Sequence, residues 1–194
     1  MKHLSLEIIE DEHRALLAML QSMKMLMARG PGHNGAQFFN VMRAMLFYID
    51  EFPERQHHPK ETELLFPPIA AQVPALAETL AKLERDHEKG EHHVRQLQHL
   101  LLAWELLGES RRADFETAFE RYMGFYREHM RLEETEILPR AKQALSEAQW
   151  AALDAAFEAN RDPLTGKHAP DAAYQALFQK ILNEAPAPIG LGKA

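Results

Sequence analysis

Two segments, HHPKETELLFP (57–67) and HMRLEETEILP (129–139), carry the same arrangement of chemically active residues 72 positions apart. Each has a histidine, a glutamate four residues on, a bulky apolar pair, and a proline ten residues after the histidine. Residues four apart share one helix face roughly 6 Å apart, so His57 and Glu61 can converge on one point, as can His129 and Glu133. Isolated pairs of this kind mean little in a chain with 11 histidines and 29 acids, and His3/Glu7 and His87/Glu91 show the same spacing without the shared flanks. What separates the two segments is those flanks and their place on an apolar face.

Two further histidines complete a pattern. His13 sits among Ile9, Leu16 and Leu17, and His87 lies between Leu83 and Val94. Both occupy seam positions, where an unpartnered imidazole would be costly to desolvate. Shifting residues 6–23 by 74 positions lays Leu6 on Leu80, Ile9 on Leu83, His13 on His87 and Met23 on Leu97. The two HxxxE segments match at a shift of 72, so the chain reads as two copies of one helix pair. Four inward histidines and two inward glutamates are far cheaper around a bound cation than alone. Such a donor set suits iron or another first-row metal rather than calcium or magnesium. Two glutamates from different helices can bridge two ions, and with an oxo or hydroxo bridge a position stays open for an exogenous ligand. The expected metal ligands are His13, His57, Glu61, His87, His129 and Glu133, with Glu91 as a further candidate. Zinc or manganese are alternative occupants.

The elements that must position these residues are helical throughout, since apolar residues recur at three and four and never alternate. The spacing predicts helices over about 4–28, 35–66, 76–107 and 113–145, with Pro53 and Pro59 kinking or interrupting the second. Four long helices with short connections predict an all-α, antiparallel up-down-up-down four-helix bundle over 1–145. SEAQ (146–149) opens a capping box for a short helix bearing Trp150, Leu153 and Phe157. Asp171 is expected to cap a last helix, which completes an extension (146–185) packed on the bundle, with a flexible tail over 186–194.

Composition narrows the function. A formal charge of −7 with no basic tract argues against nucleic acid or an anionic membrane as partner. The absence of cysteine excludes disulfides, iron–sulfur clusters and thiolate metal sites, and fits a reducing compartment. No signal-peptide core and no spanning apolar run is present, so a cytoplasmic protein, monomer or homodimer, is expected.

On EDEHRALL around His13, HHPKETELLFP, RDHEKGEH around His87 and HMRLEETEILP, residues 1–145 resemble the hemerythrin-like (HHE cation-binding) family. The resemblance implies a four-helix bundle with a non-haem di-iron centre that binds, senses or reduces dioxygen, peroxide or nitric oxide. It further implies that His13 and His57 ligate one iron, His87 and His129 the other, and Glu61 and Glu133 bridge. The family's oxygen carriers have a second histidine one turn after the first on the third helix, where this chain has Glu91 beside Gly90. They also have an acid five residues after the last histidine, which here would be Glu134 rather than Glu133. These departures favour a sensor, scavenger or redox enzyme over a reversible carrier.

The remaining polar residues are assigned lesser roles. His58 points about 100° away from His57 and is expected in support or at the surface. His3, His33, His92, His93, His99 and His168 are expected at the surface. Tyr122 and Tyr126 are core aromatics that could also donate to an iron-bound ligand, and Glu12 and Asp86 could orient the histidines beside them. Two other functions compete: a ferritin-like iron oxidase or store using Glu10-x-x-His13 and Glu84-x-x-His87, and a regulatory module whose metal occupancy controls the C-terminal helices.

Overall fold

A computed structural model describes residues 3–165 and 171–192 of the chain. It is all-helical, with no strand among the described residues. Helix α1 (Leu4–Arg29) ends at Gly30, whose positive φ of 68° turns the chain where a side chain would be strained. Helix α2 (Gly35–Ile49) starts from Asn34, whose side chain accepts from the Gln37 backbone N–H. It does not stop at Pro53. The chain continues through a π-helical segment (Asp50–His57), a turn of α3 (His58–Lys60), a second π segment (Glu61–Leu65) and α4 (Phe66–Gln72).

After a short 3-10 turn, α5 (Ala77–Leu107) is unbroken. Helix α6 (Arg112–Leu132) runs into a third π segment (Glu133–Ile137) and then α7 (Leu138–Ala144). The π segments at 61–65 and 133–137 each lead straight into an α-helix with a proline in its first turn, Pro67 and Pro139. Proline has no N–H to give, so it is tolerated there, and the preceding turn widens rather than breaking. The expected interruption at Pro53 and Pro59 is therefore a change of helical pitch.

The apolar residues form two clusters with a polar layer between them. One holds Leu16, Leu20, Met42, Met45, Val94, Leu97, Phe119 and Tyr126; the other holds Leu6, Ile9, Leu65, Leu83, Ile137 and Phe157. On α1 the order is Leu6 and Ile9, then His13, then Leu16 and Leu20; on α5 it is Leu80 and Leu83, then His87, then Val94 and Leu97. The long helices thus bring their polar residues to one level of an otherwise dry core.

The C-terminal extension packs onto this body. Ser146 caps α8 (Glu147–Glu158) by a reciprocal bond with Gln149, and Trp150, Leu153 and Phe157 enter the second cluster. Asp154 accepts from the Ser5 backbone N–H and hydroxyl at 2.8 and 2.6 Å, and His3 stacks on Trp150 at 3.7 Å. His3 is thus packed rather than free at the surface, and His168 lies outside the described residues. Helix α9 (Gln175–Glu184) starts four residues after Asp171, which accepts from Ala173 N–H instead, and buries Phe178 and Ile181 against α2. The tail expected to be flexible is fastened over 186–192. Ser22 donates to the Pro186 carbonyl at 2.8 Å and accepts from Ile189 N–H at 3.1 Å, while Leu191 and Gly192 donate to Leu182 and Ala185. The proline- and glycine-rich composition that suggested flexibility hides these backbone partners.

The loop after α8 buries Asp162, whose carboxylate accepts from the Tyr48 hydroxyl and from Leu164 N–H. Burial pushes this carboxyl up to about 6 against those hydrogen bonds. A carboxyl raised on folding favours the folded state while protonated, and that contribution is lost as pH rises from about 4 through 6. The Asp162→Asn variant should therefore match the parent near pH 4. It should be more stable by on the order of 2 kcal/mol at pH 7, read from urea unfolding across that range.

Candidate metal centre

The six expected ligands come together in one buried cluster. Glu61 and Glu133 are fully inaccessible, and His13, His57, His87 and His129 are all buried. His57 closes the first π segment and Glu61 opens the second, while Glu133 opens the third, so three of the six sit where helical pitch changes. Such wide turns re-aim side chains without ending the helix.

Each carboxylate straddles the two halves of the cluster. Glu61 Oε1 lies 3.2 Å from His57 Nε2, and its Oε2 lies 3.5 Å from His87 Nε2. Glu133 Oε2 lies 3.3 Å from His13 Nε2, and its Oε1 lies 3.1 Å from His129 Nε2 and 3.7 Å from His87 Nε2. The His87 and His129 Nε2 atoms face one another at 3.2 Å. Donors held about 2.1 Å from a common ion at right angles would stand about 3 Å apart, which is the spacing of these pairs. Yet all four carboxylate oxygens and His57 Nε2 are buried without a hydrogen-bond partner, because the contacts lie off the hydrogen-bonding directions. Buried polar atoms without a partner are rare in folded proteins and call for a ligand. The residues present fit a bound cation, or a pair of them.

Electrostatics agree. Burial alone would push the Glu61 carboxyl up, as would Glu133, but His57 and His87 hold it below its usual range. Burial opposes ionisation of Glu133 too, and His129, His13 and His87 hold it well below. Burial would likewise lower His57, yet Glu61 and Glu12 raise it well above the usual imidazole value. His129, pulled by Glu133 and Asp86 against burial, reaches about 10. Protons on the histidines can offset the two buried carboxylates, a role that metal ions would take over.

Outer partners fix the rings. Glu12 accepts from His57 Nδ1 at 2.7 Å, and Glu134 accepts from His13 Nδ1 at 3.0 Å. Thr62 Oγ1 is 2.8 Å from His87 Nδ1, and Asp86 stands 4.0 Å from His129 Nδ1, an ion-pair distance rather than a hydrogen bond. Glu12 and Asp86 thus reach across to a neighbouring helix rather than serving the adjacent histidine. Glu134, an alternative ligand by its spacing, turns outward and orients His13. Glu91 lies outside the cluster, on an exposed face, paired with Arg95. The Tyr122 and Tyr126 hydroxyls donate to Glu54 Oε1, not towards the cluster. His58 is buried, its Nδ1 3.0 Å from Glu54 Oε2. Surface placement was the wrong half of its expectation: a step of 100° from His57 leads to α5 and α6, not to solvent.

Sequence reasoning missed Glu54, Thr62 and Asn160. Asn160, in the loop after α8, donates to both Glu12 oxygens at 3.0 and 3.1 Å and accepts from Lys60. The extension thereby holds the carboxylate that holds His57, a contact 148 positions apart that no local pattern announces. Loss of a partner behind a metal-ligating histidine typically costs about 10–100-fold in affinity. Asn160 stands one bond further out, so Asn160→Ala should fold and still take up metal but lose it to a chelator up to about tenfold faster than the parent.

A family model for the hemerythrin HHE cation-binding domain matches residues 4–141. No curated protein matches the chain. The matched span ends within α7, so Asn160 and Asp162 lie beyond it. With the matched span holding all six clustered residues and more than two thirds of the chain, the protein belongs to the hemerythrin HHE cation-binding family.

Proposed function

We propose that this chain is a di-iron protein that binds, senses or reduces a small oxidant: dioxygen, peroxide or nitric oxide. The observation that carries this reading is the straddling of Glu61 and Glu133, each with one oxygen towards one pair of histidines and one towards the other. His13 and His57 would hold one ion and His87 and His129 the second, on the four long runs of an antiparallel up-down-up-down bundle. When bound, an iron pair supplies one-electron chemistry and a Lewis-acidic site.

The chain's own residues do the rest. Glu12 and Glu134 keep the His57 and His13 rings turned with Nε2 inward. Phe66 lies against His87 and Phe157 against His57, each covering one side of the ring. Beside His13 and His57 is a cavity of about 10 Å³, walled on its apolar side by Leu16, Pro53 and Met130. That volume is at the limit for one water, which suits a diatomic or similarly small ligand.

The ferritin-like alternative draws no support from the geometry, since Glu84 is exposed and neither it nor Glu10 joins the cluster. Aerobically purified protein should contain two iron per chain and show near-ultraviolet charge-transfer absorption. Glu10→Gln and Glu84→Gln should keep both irons, whereas Glu61→Ala and Glu133→Ala should each lose at least one. Zinc alone, or no metal, would sink the proposal. Peroxide decomposition and an anaerobic oxygen titration then separate turnover from binding.

A further inference from the structure

We propose that His58 is a fifth imidazole ligand, completing the His87/His129 half of the centre from a helix position next to His57. This inference rests on the di-iron reading above. His58, His87 and His129 can each offer one ligand atom with all three atoms within 4.8 Å of one another, and all three residues are buried. The His58 ring centroid is 4.3 Å from that of His87 and 5.5 Å from that of His129.

A shared wiring pattern strengthens the assignment. In His13, His57 and His87 the Nδ1 atom is engaged by a side chain outside the cluster, at 3.0, 2.7 and 2.8 Å, and Nε2 is left facing inward. His58 has the same arrangement, with Nδ1 3.0 Å from Glu54 Oε2. An N–H donated from Nδ1 to a carboxylate leaves the lone pair on Nε2, the tautomer a metal needs. Glu54 is itself fixed, since its other oxygen accepts from both Tyr122 and Tyr126. Any buried imidazole needs a partner, but this one engages Nδ1 and leaves Nε2 for a second.

The facing surface of α5 explains why the extra imidazole comes from this helix. At position 90 a Cβ would collide with the Tyr126 hydroxyl and stand 2.8 Å from Glu54 Oε2, so only glycine admits the clamp. Glu91, the α5 residue one turn after His87, faces out and pairs with Arg95. Helix α5 therefore yields its space to Glu54 and His58. The donor count becomes unequal: three imidazoles on the His87/His129 side and two on the His13/His57 side.

The test counts coordinated imidazoles directly. Each histidine bound to high-spin ferrous iron through Nε2 carries an Nδ1–H whose proton resonance is shifted far downfield and disappears in deuterated water. The protein reconstituted anaerobically with ferrous iron should show five such resonances. His58→Gln, checked to retain two iron per chain, should show four. Glu54→Gln should keep five with one displaced, because the ligand remains while its outer partner changes. Four resonances in the parent protein, or no loss in His58→Gln, would overturn the inference while leaving the di-iron reading standing. If His58→Gln fails to fold, the parent count of five or four decides alone. Failure to bind iron at all would remove both.

Discussion

Two glutamates with no exposed surface, facing four imidazoles and one another, cannot be held in a dry core by packing. Taking a carboxylate out of water costs several kcal/mol even after relaxation, and two in contact repel as well. Their oxygens have no hydrogen-bond partners in the chain, so the cost is met only by positive charge among the histidines. Protons can supply it, and the upward displacement of His13, His57, His87 and His129 shows the core drawing them in. Metal ions can supply it too, with stricter geometry. The rest of the molecule is organised around that demand: two apolar clusters seal the layer from either side, and a ring of outer acceptors sets the face each imidazole turns inward.

Much of this is written in local sequence. Helical periodicity locates the four long runs within a few residues, because a seam of Leu, Met and Phe at three-and-four spacing has few other ways to bury itself. The six clustered residues are legible for a related reason. A histidine on an apolar seam is anomalous, and the internal repeat shows the anomaly twice. Family membership, shown by the matched span, rests on those same residues.

What the sequence conceals is cross-chain geometry. Glu54 and His58 face α5 and α6, and a step of about 100° from His57 says what His58 meets only once the neighbouring helices are placed. Asn160 is separated from its partner by most of the chain. Glu12 and Asp86 sit beside histidines yet serve different ones, since a helix neighbour points sideways while the next helix lies directly opposite. The fastened segment at 186–192 is hidden for a simpler reason: its bonds are made by backbone groups, and composition does not encode where a carbonyl points.

The π segments have a consequence for how the chain tolerates change in length. Each is one residue wider per turn than the helix around it, and two of them lie directly downstream of a clustered histidine. Five residues at π pitch sweep about the same angle as four at α pitch, so removing one residue from 133–137 would convert the segment to α pitch and leave Leu138 and Ala141 facing the apolar cluster. His129, upstream, would keep its place. The two ends of each long run would thus keep their relative rotation. A π segment can therefore give up one residue almost as a loop would, whereas the same deletion in the unbroken α5 would turn everything after it by about 100°.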